Sequence, residues 1–184
     1  MKRRLLSLAM ISAPFAAQAN ELFLDINPDA FHARVDATHA SNDVHYSLAT
    51  VITDDSGELL SLGVWTHGPL GDNPSLTGGL GGKLYALNLE GDNDNLYGLG
   101  IGGNLGITLP EVPDLSLTAE LFYAPGITLT NDYDGLVDLT IRVNWALFEN
   151  AGVYAGLRHI EADYENGGSY EFSDDLHVGI NIEF

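Results

Sequence analysis

The last nine residues, Leu176-His177-Val178-Gly179-Ile180-Asn181-Ile182-Glu183-Phe184, alternate without a break. In an extended strand Leu176, Val178, Ile180, Ile182 and Phe184 share one face, and His177, Gly179, Asn181 and Glu183 share the other. A period of two this strict excludes a helix and places one face in an apolar medium and the other in a polar one. Whatever fold the chain adopts must offer its strands two different environments.

The opposite end carries a different signal. Lys2, Arg3 and Arg4 precede an apolar stretch from Leu5 to Ala16, and Ala17-Gln18-Ala19 is a small-x-small site. Together they predict a secretory signal peptide over residues 1–19, cleaved before Asn20. The apolar stretch is too short for a membrane-crossing helix, which needs about 20 residues. The chain has no cysteine, so a lipid anchor at the cleavage site, disulfides and thiolate metal sites are all excluded.

Residues 20–184 then form one domain of ordinary length. With the leader gone, 26 acidic residues face four basic ones, a net charge of −22. Such a surface repels nucleic acid, and divalent cations or basic partners are its natural opposites. The apolar content is high and periodic, so the charge does not imply disorder. A secreted chain of alternating strands with no helical span is a soluble periplasmic β-protein or an outer-membrane barrel, because only helices and closed barrels satisfy their backbone in lipid.

Turn clusters rich in Gly, Asn, Asp and Pro divide the mature chain into strands near 22–27, 30–39, 43–53, 58–67, 76–88, 96–109, 115–124, 135–148, 151–163 and 170–184. The longer ones match the roughly 9–11 residues that cross a bilayer at a tilt. A barrel with both termini on one side needs an even number. The count favours a small antiparallel barrel of ten strands. The alternative has eight, with residues 20–40 as an N-terminal hairpin or plug.

The two phases of these strands differ in kind. One carries Val44, Tyr46, Leu48, Leu60, Leu62, Val64, Leu99, Ile101, Leu121, Tyr123, Leu139, Ile141, Val143 and the terminal apolar set. Its strand middles hold no charge, as a lipid-facing surface demands when a midplane charge costs about 2–4 kcal/mol. The other phase is rich in Gly, Ser, Thr and Asn rather than the Lys and Glu of a solvated sheet face. It also holds every cation of the mature chain: Arg34, Lys83, Arg142 and Arg158. Asp36, Glu120, Asp138 and Glu183 share it. These eight residues are expected to form an ion-pair network across the lumen, either filling it or acting as a charged constriction, since a buried charge is tolerated only when paired. Inward glycines, as in Gly98-Leu99-Gly100-Ile101-Gly102-Gly103, would make room for Tyr85, Phe122 and Tyr154. Phe31, Tyr97, Tyr123, Trp145, Phe148, Tyr164, Tyr170 and Phe184 lie near strand ends, where interfacial girdles sit. Trp65 falls on the inward phase unless a bulge follows Gly63.

Motifs for chemistry are sparse. His67, His159, His177, Ser169 and Ser173 supply the residue types of a hydrolase, and His159 with Asp163 and Ser169 could gather at one rim. No G-x-S-x-G element joins them, so the chain is read as a non-enzyme and no cofactor is expected. Asp92 and Asp94, in Asp92-Asn93-Asp94-Asn95, are candidate ligands for weak Ca²⁺ or Mg²⁺ binding, but the stretch lacks the glycine and distal Glu of a calcium loop.

Several stretches together resemble the YfaZ-type family of small bacterial outer-membrane proteins: Leu22-Phe23-Leu24-Asp25-Ile26-Asn27-Pro28-Asp29-Ala30, Leu76-Thr77-Gly78-Gly79-Leu80-Gly81-Gly82-Lys83-Leu84, Glu120-Leu121-Phe122-Tyr123-Ala124-Pro125, Val153-Tyr154-Ala155-Gly156-Leu157-Arg158 and Leu176-His177-Val178-Gly179. The terminal Phe184 is similar to the C-terminal signature of outer-membrane barrels. These resemblances imply a location in the outer membrane of a Gram-negative envelope, in contact with its lipid and lipopolysaccharide, with Leu176, Val178, Ile180, Ile182 and Phe184 as a handle for the barrel-assembly machinery. A monomer is expected. The function expected is structural, in envelope integrity or in interaction through acidic outer loops. A narrow, cation-favouring, porin-like channel is the alternative, and a lipid- or peptide-modifying enzyme ranks last.

Overall fold

A computed structural model describes residues 20–39, 44–89 and 95–184. Its strands are β1 (Asn20–Ile26), β2 (Ala30–His39), β3 (Val44–Thr53), β4 (Gly57–Thr66), β5 (Gly68–Leu70), β6 (Asn73–Leu89), β7 (Leu96–Leu109), β8 (Val112–Pro125), β9 (Tyr133–Phe148), β10 (Ala151–Tyr164) and β11 (Ser169–Glu183), with one turn of 3-10 helix at Gly126–Thr128. Neighbours in sequence pair antiparallel, β4 pairs with β6, and β1 pairs with β11. The sheet therefore closes into a ring of ten strands. β5 stands outside the ring against the start of β6. The N-terminal hairpin is part of the wall: β1 joins β11 from Glu21↔Glu183 to Ile26↔Val178 and joins β2 along its whole length.

The end of the barrel holding Phe184, the start of β1 and the turn at Glu149-Asn150 is called the lower end here. The upper end holds the turns at 27–29, 54–56, 126–132 and 165–168. Closure satisfies the backbone of every ring strand without leaving a sheet edge across the barrel's middle. Alternation then sorts the side chains. Leu48, Leu62, Leu84, Leu99, Ile101, Leu121, Val143, Val178 and Ile180 project outward and are exposed. Phe31, Tyr97 and Tyr123 ring the upper part of this belt; Trp145, Phe148 and Phe184 mark the lower. Tyr164 and Tyr170 do not belong to it. Both turn inward, and Tyr170 donates its hydroxyl to the Ser56 carbonyl at 3.0 Å. A bulge explains Tyr170. Ile160 pairs with Ser173 and Glu161 with Glu171, which leaves Phe172 as an extra residue. Phe172 and Ser173 are both buried, so the phase of β11 reverses above this point.

The lumen is filled in two layers. Its upper part is an apolar core of Val51, Leu59, Leu87, Leu89, Leu96, Ala124, Tyr133, Leu136, Ile160, Ala162 and Phe172, with Tyr85 and Phe122 at its base. Below it lies a layer of charged side chains. Trp65 also points inward: it pairs with His45 in an unbroken β3–β4 register and is 4 % exposed. The room for it comes from glycine. A Cβ at Gly63 would stand 2.6 Å from the indole ring, and one at Gly81 would collide with the Trp65 Cβ.

Candidate functional site

The charged layer begins with Arg34 on β2. Its inward side chain crosses the lumen to Glu120 on β8, and Nη1 donates to both carboxylate oxygens at 2.7 and 2.9 Å. Nε and Nη2 of the same guanidinium donate to Asp36, two residues along the same face, at 2.6 and 2.7 Å. One planar fork thus serves two carboxylates through four hydrogen bonds, more than the three donors of a lysine could supply. Arg142 on β9 adds a bond from Nη2 to Glu120 Oε1 at 3.0 Å. Lys83 on β6 lies 3.6 Å from Glu120 Oε2 and donates to Asp138 Oδ2 at 2.9 Å. The Tyr85 hydroxyl donates to that same Asp138 oxygen at 2.9 Å. Glu120 is the hub, touched by three of the four cations.

A second cluster sits on Asp25 of β1. Arg158 on β10 donates through Nη1 and Nη2 to the two oxygens of Asp25, at 3.1 and 3.0 Å. The Tyr154 hydroxyl donates at 2.8 Å, and His32 Nδ1 lies 2.7 Å away. This cluster fastens the short N-terminal hairpin to β10. The Tyr154 ring reaches it over Gly179, where a Cβ would come within 2.5 Å of the ring.

Seven of the eight residues expected in the lumen network occupy it: Arg34, Asp36, Lys83, Glu120, Asp138, Arg142 and Arg158. Glu183 does not. It is exposed at the lower end, opposite Glu21 in the β1–β11 register. Asp25 fills the fourth acidic place, and sequence reasoning passed over it although it shares the inward phase of Phe23. Four cations therefore face the four carboxylates of Asp25, Asp36, Glu120 and Asp138. Aromatic rings line it: Lys83 Nζ lies 4.3 Å from the Phe122 centroid, and the Arg142 guanidinium lies 4.6 Å from that of Phe23. Between the charged layer and the apolar core remains a cavity of about 30 Å³, lined by Arg34, Lys83, Glu120, Val51, Leu59 and Ile160 among others. It has room for about two waters, at roughly 10–15 Å³ for each.

The residues considered for hydrolysis lie apart. His159 faces outward, with Nδ1 3.1 Å from Asp174 and Nε2 3.3 Å from Glu161, so its neighbours are carboxylates rather than Ser169. Ser173 and His177 are buried inside the barrel. Asp92 and Asp94 lie outside the described residues.

Among solved structures the chain is similar to the KdgM porin, at 13 % identity and a TM-score of 0.46, covering 91 % of this chain and 99 % of that one. It is similar to the KdgM porin in complex with disordered oligogalacturonate at 12 % identity and the same TM-score and coverage. It is also similar to the outer membrane channel DcaP of Acinetobacter baumannii, at 13 % identity and a TM-score of 0.45 over 84 % of this chain. The chain spans about half the length of that channel, 51 %. No curated protein sequence matches it. The model of the family described as YfaZ precursor matches residues 1–184. A ten-strand barrel with an apolar exterior and a match from the first residue to the last leave one assignment: the chain belongs to the YfaZ precursor family of small outer-membrane β-barrels.

Proposed function

We propose that the protein resides in the outer membrane as a closed, non-conducting barrel. Its role is structural or interactive, exerted at its rims rather than through its lumen. The observation that carries this reading is the stacking of two seals in series. The ion-paired layer centred on Glu120 crosses the lumen, and the apolar core fills the space above it. An ion would have to break paired charges and then enter an apolar layer, both costly steps.

The lower end faces the periplasm in this reading, with Phe184 presented to the assembly machinery. The upper turns carry Asp29, Asp54, Asp55, Asp132 and Glu165, and β9 carries Asp134 at its upper end, an anionic rim suited to divalent ions that bridge it to lipopolysaccharide. β1 begins at Asn20, the residue expected after cleavage, so removal of residues 1–19 would leave every ring strand intact.

Conductance of the refolded protein in planar bilayers is the test. The expected result is a silent bilayer. Steady, cation-selective openings would overturn the closed reading in favour of a narrow channel. That second reading draws on the polar lower lumen, where Asn144 Nδ2 donates to Ser116 and Thr118 at 3.4 and 3.3 Å.

A further inference from the structure

The cavity between the charged layer and the apolar core is walled by more positive charge than negative. All four cations of the layer line it: Arg34 from β2, Lys83 from β6, Arg142 from β9 and Arg158 from β10. Only two of the four carboxylates do so, Glu120 and Asp138. Asp36 and Asp25 pair with Arg34 and Arg158 without lining it. We propose that the cavity binds one monovalent, chloride-sized anion inside the barrel.

Three features support the assignment. The first is charge. Glu120 is shared among Arg34, Lys83 and Arg142, so one negative charge answers three positive ones at the cavity wall. A positive excess held away from water is costly unless an anion offsets it, which water in the same space cannot do. The second is the supply of donors. Arg142 is only 5 % exposed, and its Nε is buried without a hydrogen-bond partner among the described residues. A guanidinium N–H can only donate. Ser47 and Ser61 are buried and line the same cavity, and their hydroxyls can turn to donate. The carboxylates that would repel an anion are tied to their own donors, Glu120 to Arg34 and Arg142, Asp138 to Lys83 and Tyr85. The third is size. A halide is little larger than a water molecule, so room for about two waters admits one such ion and excludes a tetrahedral oxyanion. The acidic surplus of the chain lies largely on exposed residues, where salt screens it within about 8 Å at physiological ionic strength.

Bromide makes the site observable. Crystals of the wild-type protein refolded in bromide, measured at the bromine absorption edge, should show one anomalous peak inside the barrel, beside Arg142 Nε. A cavity without a peak, or peaks confined to the protein surface, would overturn the site. This measurement needs no variant to fold. A second readout is the urea midpoint of the refolded barrel as chloride replaces sulfate at constant ionic strength. A ligand of the folded state raises stability with the logarithm of its concentration once above its dissociation constant, so the midpoint should climb with each tenfold rise in chloride. General salt effects run the other way, since sulfate is the stronger stabiliser. Ala49 also lines the cavity, and Ala49→Val puts methyl groups into the space the ion needs, so the folded variant should lose the chloride dependence. A midpoint that does not rise with chloride, or a chloride dependence retained in folded A49V, would count against the site. Neither readout depends on whether the barrel conducts.

Discussion

The two layers of the lumen fill the same inner wall by opposite means. In the upper layer Leu87, Leu96 and Leu136 are almost wholly buried among apolar neighbours, and their stability comes from area removed from water and from close packing. In the charged layer Arg34, Glu120, Lys83 and Asp138 are also buried, yet the desolvation of each charge cancels much of what its partners return. The difference is in how they fail. An apolar core weakens in proportion to the atoms removed. A paired layer tolerates loss of a whole pair and fails when one member is lost.

The largest effect expected is at the hub. Glu120→Gln leaves Arg34, Lys83 and Arg142 short of a buried partner and should cost about 3–5 kcal/mol, read as a lowered urea midpoint for the barrel refolded in lipid. Leu87→Ala in the apolar layer should cost about 2–5 kcal/mol with no electrostatic component. Raising the salt concentration should therefore leave its deficit unchanged. Tyr85→Phe removes one of the two donors to Asp138 Oδ2 and should cost about 1.5–3 kcal/mol by the same unfolding measurement. The smallest effect, near zero or slightly stabilising, is expected for the joint replacement Lys83→Met, Asp138→Leu made in the Tyr85→Phe background and compared with Tyr85→Phe alone, because the pair is removed together. If the joint replacement costs as much as Glu120→Gln, the contrast between the layers is wrong.

Legibility in the sequence follows the same division. A charge that falls on one parity of an alternating strand declares its face, so the inward placement of Arg34, Lys83, Arg142 and Arg158 is readable from spacing alone. Parity gives the face but not the height. Glu183 shares the inward parity of His177, yet it stands at the lower rim, too far along the strand to meet the network. Asp25 obeys the same rule, but only if β1 is a wall strand, and seven residues are short for that role. The upper core is hidden for another reason. Val51, Leu59 and Leu87 have apolar neighbours on the outward face too, so alternation vanishes there and an inward leucine looks like an outward one. Tyr164 and Tyr170 resemble girdle residues because strand-end aromatics usually belong to the girdle. For Tyr170 the bulge at Phe172 also reverses the parity that would have corrected it.

The seam between β1 and β11 imposes an order in time. The first strand of the ring finds its second neighbour only in residues 178–183, and the links Asp25–Arg158 and Glu21–Asn181 span 133 and 160 residues. A chain that forms its strands in sequence order holds β2 as the only partner of β1 until β11 is in place. Throughout that interval β1 presents a bare edge with a row of unmet backbone groups, the template on which chains aggregate. This barrel therefore cannot close piecemeal: its ring is complete only when β11 meets β1.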